Sequence, residues 1–145
     1  MRLKKVALAG AAAGVLALTA TPASAAEVNW KAVSTDSTWN CGTYRNHVGS
    51  QNVRFKHCFV INSGGYAQSV LVVQNKASVA IKIEGDIRTN FGSDVDCAQT
   101  TLNPGFTRGC FGPTRYIGSE GLFSATSRLN FNGIDDQMYS AIQLI

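Results

Sequence analysis

Downstream of residue 26, apolar side chains recur at almost every second position, and the three-and-four spacing of a helix never persists for three turns. A two-residue period puts alternate side chains on opposite faces of an extended chain, so the expected fold class is all-β. Val53, Phe55, Phe59 and Ile61 share one face with Arg54 and Lys56 on the other, and Asn62-Ser63-Gly64-Gly65 ends that strand with turn residues. Val70-Leu71-Val72-Val73 lacks alternation, which fits a central strand covered on both faces. Val79, Ile81, Ile83 and Ile87 then alternate with Lys82, Glu84, Asp86 and Arg88, giving a half-exposed strand with a solvated charged face. Asn103-Pro104-Gly105 suits a type II turn between the arms Ala98 to Leu102 and Phe106 to Phe111, which we expect to form a hairpin. Asn132-Gly133 separates Leu122 to Phe131 from a closing strand, Met138 to Ile145. About seven strands result, with turn signals roughly every 8 to 12 residues, and the expectation is a disulfide-stapled β-sandwich of immunoglobulin-like or related topology.

The first 25 residues read differently. Arg2, Lys4 and Lys5 precede an apolar run from Val6 to Ala20, and Ala23-Ser24-Ala25 supplies the small side chains that a signal peptidase accepts. Residues 1–25 are therefore expected to be a secretory leader, cleaved before Ala26, with an N-terminal extension at 26–40 and one domain at 41–145. Those three leader cations account for much of the basicity: without them 10 Lys and Arg face 9 Asp and Glu. So small an excess, scattered singly, gives no basis for nucleic-acid binding, and no second apolar run offers a membrane span after cleavage.

Cys41, Cys58, Cys97 and Cys110 all lie in the mature part, and an even number in an exported chain reads as two disulfides. Three pairings are possible. Proximity favours Cys41 with Cys58 and Cys97 with Cys110, each closing a short loop at a gain of roughly 3 kcal/mol. Zinc ligation lacks its usual spacing, since there is no Cys-x-x-Cys and both His47 and His57 fall between the first two cysteines. Asp94-x-Asp96 and the Asn130 to Asp136 cluster carry hard oxygens, but turn chemistry accounts for both. No metal or cofactor is expected.

Candidate chemistry is sparse. The mature chain has three glutamates, Glu27, Glu84 and Glu120, none in a motif with His47 or His57, and Gly-x-Ser-x-Gly is absent. His57 continues the apolar face of Val53, Phe55 and Phe59, as a hydrogen-bonded core histidine would. Binding is the expectation instead, with an extracellular protein as the partner. Two segments qualify. Val28 and Trp30 alternate along Glu27 to Val33, either as an edge strand packed on its own sandwich or as an arm inserted into a partner. Trp39, Tyr44 and Arg45 surround Cys41 in a loop that a disulfide would hold rigid, and these residue types dominate binding hot spots.

The Ala-rich export signal with a Gly-rich, two-disulfide β-domain resembles the small secreted proteins of actinobacteria. Among them, the α-amylase inhibitors of the tendamistat type use a Trp-Arg-Tyr triplet near their first cysteine pair, whereas this chain has Tyr44-Arg45. In layout, with leader, N-terminal extension and compact β-domain, it is also similar to the adaptor subunit of the umbrella-shaped toxin particles of Streptomyces. That resemblance implies a non-enzymatic adaptor in a secreted complex, with Ala26 to Val33 as an inserted arm. Inhibition of an extracellular hydrolase is the alternative, and a small secreted enzyme the third.

Overall fold

The computed structural model describes residue 25 and residues 27–145. Apart from residue 25, the expected leader and its cleavage point lie outside the described residues. Eleven strands and no helix occur among those residues: β1 Glu27–Val28, β2 Trp39–Cys41, β3 Arg45–Asn46, β4 Val53–Ile61, β5 Tyr66–Asn75, β6 Ile81–Thr89, β7 Val95–Leu102, β8 Thr107–Phe111, β9 Arg115–Tyr116, β10 Gly121–Phe131 and β11 Ile134–Leu144. The expected count of about seven is too low because β1, β2, β3 and β9, each of two or three residues, are too short to show a period.

Two sheets face each other. One runs β1-β7-β6-β10-β11; the other runs β2-β4-β5-β8, with β3 also on β4 and β9 also on β5. Their inward side chains meet in one core that includes Phe55, Phe59, Leu71 and Val73 from the second sheet and Ile83, Ile87, Val95 and Leu129 from the first. Asn132 and Gly133 both have positive φ, 47° and 86°, as a two-residue hairpin between β10 and β11 requires. Gly85 is needed for a different reason: a Cβ there would lie 2.4 Å from the Arg128 carbonyl oxygen, across the pairing of β6 with β10. The register of β6 on β7 also shifts between Ile83 and Gly85. Val79, expected on the buried face of β6, precedes that strand and is exposed.

Both disulfides pair nearest neighbours. Cys41 and Cys58 face each other across β2 and β4, with their Cα atoms 4.0 Å apart. Cys97 and Cys110 join β7 to β8, which belong to different sheets, so this bond crosses the core. The expected hairpin of these two arms therefore does not exist. After Pro104-Gly105 the chain passes to the other sheet, where β8 pairs with β5 rather than β7, because β7 is taken by β6 and β1. Two structural disulfides mark a chain that matures in an oxidising environment.

The N-terminal segment packs on its own domain. Glu27 and Val28 pair in parallel with Asp96 and Cys97. The Trp30 indole N–H donates to the Ala98 carbonyl at 2.8 Å, and its ring packs against the main core. Lys31 then exchanges two backbone hydrogen bonds with Gly109, of 2.8 and 2.7 Å, so the segment ties the edge of one sheet to the edge of the other.

Two stability measurements check this packing. Trp30→Ala is expected to destabilise by about 3 kcal/mol, near 10 °C in Tm, through a lost half-buried ring and an orphaned Ala98 carbonyl. An unchanged melt would mean that this ring is not seated in solution. Gly85→Ala should cost at least as much, because its new methyl meets fixed backbone.

Candidate functional site

The second sheet is covered on its outer face as well. Cys58, Val70 and Val72 are fully buried there beneath Val33, Trp39, Tyr44, Val60 and Phe111. The unbroken run Val70 to Val73 is thereby explained: Leu71 and Val73 face the core while Val70 and Val72 face this second, smaller cluster. Trp39 meets Phe111 edge to face, with ring centroids 5.8 Å apart. Cys41 sits next to the hydrogen bond from Gly42 N–H to the His57 carbonyl, 3.0 Å, so the disulfide fixes the chain on either side of it against β4.

Tyr44 lies at the exposed end of this cover. The Arg54 guanidinium is 4.4 Å from its ring centroid, and the Lys56 ammonium is likewise at 4.4 Å. Strand geometry places both cations here, because Arg54 and Lys56 are two residues apart and so project from the same face of β4. Arg54 Nε also donates to Gln74 Oε1 at 2.5 Å. Among the described residues, neither cation forms an ion pair. Burial raises the Tyr44 phenol above its ordinary pKa, and the Arg54 charge opposes that rise.

The five residues expected to contact a partner therefore separate. Val28 and Trp30 are built into the packing at the edge of the first sheet. Arg45 bridges the sheets: it forms an ion pair of 2.9 Å with Asp136, donates to the Gln137 carbonyl, and lies 5.1 Å from the Phe55 ring centroid. Trp39 and Tyr44 share the outer face with Arg54 and Lys56. The sequence puts those two cations on the face of their strand opposite Val53, Phe55 and Phe59 and does not mark them as a contact. Alternation shows that they share a side, but nothing local shows that Tyr44 crosses between them.

Both histidines are buried. His47 Nε2 donates to the Leu129 carbonyl at 3.0 Å, and its Nδ1 accepts from Gly49 N–H at 2.9 Å, with Phe55 and Phe131 alongside. His57 bonds Ser69 Oγ through Nε2, while its Nδ1 has no partner among the described residues. Burial pushes the His57 pKa down to about 4. The acidic clusters are also engaged. Asp94 Oδ1 accepts from the Thr89 N–H and hydroxyl, Asp96 pairs with Arg88 at 2.6 Å, and Arg128 pairs with Asp86 at 2.6 Å and Asp135 at 2.8 Å. No group of three or more potential metal ligands occurs among the described residues.

No protein-family model matches the sequence, and no curated protein does. Among solved structures, the chain is similar to the GAE domain of GGA2p from Saccharomyces cerevisiae, at 10% identity and a TM-score of 0.34 over 71% of this chain and 96% of that one. The yeast GGA1 GAE domain is similar at 11% identity and a TM-score of 0.34, over 73% and 99%. Likeness at this level does not extend to function.

The buried His57 gives a pH dependence. An unfolded chain takes up its proton near pH 6.5 and the folded ring only near pH 4, so between them the unfolded state holds more protons and stability rises with pH. This contribution is complete above about pH 6.5 and falls as the pH drops towards 4, by about 3 kcal/mol in all. Thermal melts from pH 7 to pH 4 should show the loss, and His57→Gln should remove that part of the slope.

Proposed function

We propose that the mature chain is a secreted, non-catalytic protein-binding module, an adaptor in an extracellular protein complex, and that it docks through the disulfide-held face around Tyr44. The observation that carries this reading is the cation–aromatic cluster: two cations at 4.4 Å from one tyrosine ring, with no carboxylate paired to either among the described residues. A surface that keeps two unpaired cations beside aromatic area is complementary to a partner patch with acidic groups. The Cys41–Cys58 bond and Trp39 hold that surface in place before binding, which lowers the ordering cost of association. The Trp39 to Arg45 loop is the better contact than the N-terminal segment, whose hydrogen bonds and ring are used within its own domain. A hydrolase inhibitor would use the same loop, and assay against candidate extracellular hydrolases separates it from an adaptor.

Affinity capture of the tagged protein from its own culture medium, with mass spectrometry of what accompanies it, is the test. Tyr44→Ala should weaken the recovered complex about 30-fold, close to 2 kcal/mol, and Arg54→Glu by at least as much. Arg54→Glu should shift Tm by no more than a few degrees, since it loses a half-exposed contact of about 1 kcal/mol, while Tyr44→Ala should melt somewhat lower because its ring also packs on the Val70 and Val72 cluster. Capture that is equal for wild type and both variants would overturn this surface.

A further inference from the structure

The first sheet ends on β11, an eleven-residue strand whose outer side has no hydrogen-bonded strand among the described residues. Its hydrogen-bonding phase can be worked out. Asn90 N–H donates to the Ser124 carbonyl and Asn132 N–H to the Lys82 carbonyl, so the even residues of β10 serve β6. The odd residues of β10 therefore serve β11, where register pairs them with even residues: Leu129 with Asp136, Ser127 with Met138, Ala125 with Ser140. The N–H and C=O groups of Gln137, Tyr139, Ala141 and Gln143 consequently point away from the sheet. The Gln137 carbonyl accepts from Arg45 on that side, as this phase demands.

Arg45 and Asp136 close one end of this edge, and Val48 N–H donates to the second Asp136 oxygen at 2.9 Å. Beyond them, 138–145 holds no charged side chain and no proline, two of the devices that blunt a sheet edge. A groove of about 450 Å³ runs beside this stretch, between Ser140 and Ile142 on one sheet and Asn40, Gly42, His57 and Phe59 on the other. Tyr139 and Ile145 are strongly exposed next to it.

We propose that this edge pairs with the same edge of a second copy of the chain, forming a two-fold dimer through an antiparallel β11–β11 ladder centred on Ile142. A second strand can satisfy the whole row of alternating donors and acceptors at once, and β11 is complementary to itself in this register. Tyr139 stands opposite Ile145, Ser140 opposite Leu144, Ala141 opposite Gln143 and Ile142 opposite its own copy, so no charge meets another. The hydrogen-bonded pairs are the odd ones, 139 with 145 and 141 with 143, which are the residues with free backbone groups. Ser140, Ile142 and Leu144 of the copy, on the core-facing side of the pleat, lie over the groove. A ladder spanning 139–145 also leaves the Gln137 carbonyl, which Arg45 occupies, outside the pairing. Centring on Ser140 instead would bring Gln143 of the copy against that carbonyl, where the guanidinium already sits.

Sedimentation velocity on the mature protein between about 1 and about 500 μM should show a monomer–dimer equilibrium in the micromolar range, as a small interface gives. Ala141→Pro removes an outward N–H without breaking the pairing to β10, and should weaken the dimer at least tenfold. Should that variant melt early, the double variant Ala141→Lys with Gln143→Lys tests the same point, because it sets like charges opposite each other twice from exposed positions. Ile142→Cys should yield a covalent dimer on oxidation, whereas Tyr139→Cys should not. A wild-type protein that stays monomeric throughout overturns the proposal, as does a dimer that all these variants leave intact or one that Tyr139→Cys, but not Ile142→Cys, links covalently.

Discussion

The middle of β5, with Cys58 of β4 beside it, is buried on both faces, and the rest of the architecture serves that burial. A sandwich ordinarily leaves the outer face of each sheet to water. Here Val70, Val72 and Cys58 occupy the outer face of the second sheet, so something apolar must lie over them. The cover is the chain from Val33 to Tyr44, which reaches this position because β1 begins on the first sheet and Lys31 bonds Gly109 on the second. The contact surface we assign to Tyr44 is thus the end of a structural cover. Its rigidity follows from the same packing that excludes water from Val70 and Val72.

The two disulfides act at different levels of this design. Cys97–Cys110 passes through the core and holds the sheets together at the side where β1 and β8 meet. Cys41–Cys58 holds the cover onto β4. The opposite side of the sandwich has no covalent tie, and the Arg45–Asp136 pair is its latch. Exposed ion pairs contribute about 0 to 1 kcal/mol, so this side is the less strongly held. It is also where β11 leaves its backbone groups free, which gives the domain one covered, disulfide-braced face and one open edge.

Buried polar groups follow the same division. His47 is satisfied through both ring nitrogens, by Leu129 and Gly49, and so pins the loop after β3 to β10. His57 makes one bond, to Ser69, in surroundings where a charged ring is strongly disfavoured. Both imidazoles are structural elements of the core.

A period and a composition carry the local part of this fold. Alternation along 53–61 and 122–131 names strands and their buried faces without reference to any partner strand. Asn132-Gly133 specifies its turn because few residues accept two successive positive φ values, and the short spacing of the cysteines favoured the pairing found. Where a strand pairs is a different matter, since pairing depends on which edges are still open once the core has formed. Ala98–Leu102 and Phe106–Phe111 look like a hairpin, yet they lie in separate sheets, β7 between β6 and β1 and β8 on the edge of β5. Trp30 fitted either an edge strand or an arm until Ala98 and Gly109 were placed beside it. Tyr44, Arg54 and Lys56 became one cation–aromatic cluster, and β11 an open edge, only through tertiary contacts between segments that carry no mark of each other in the sequence.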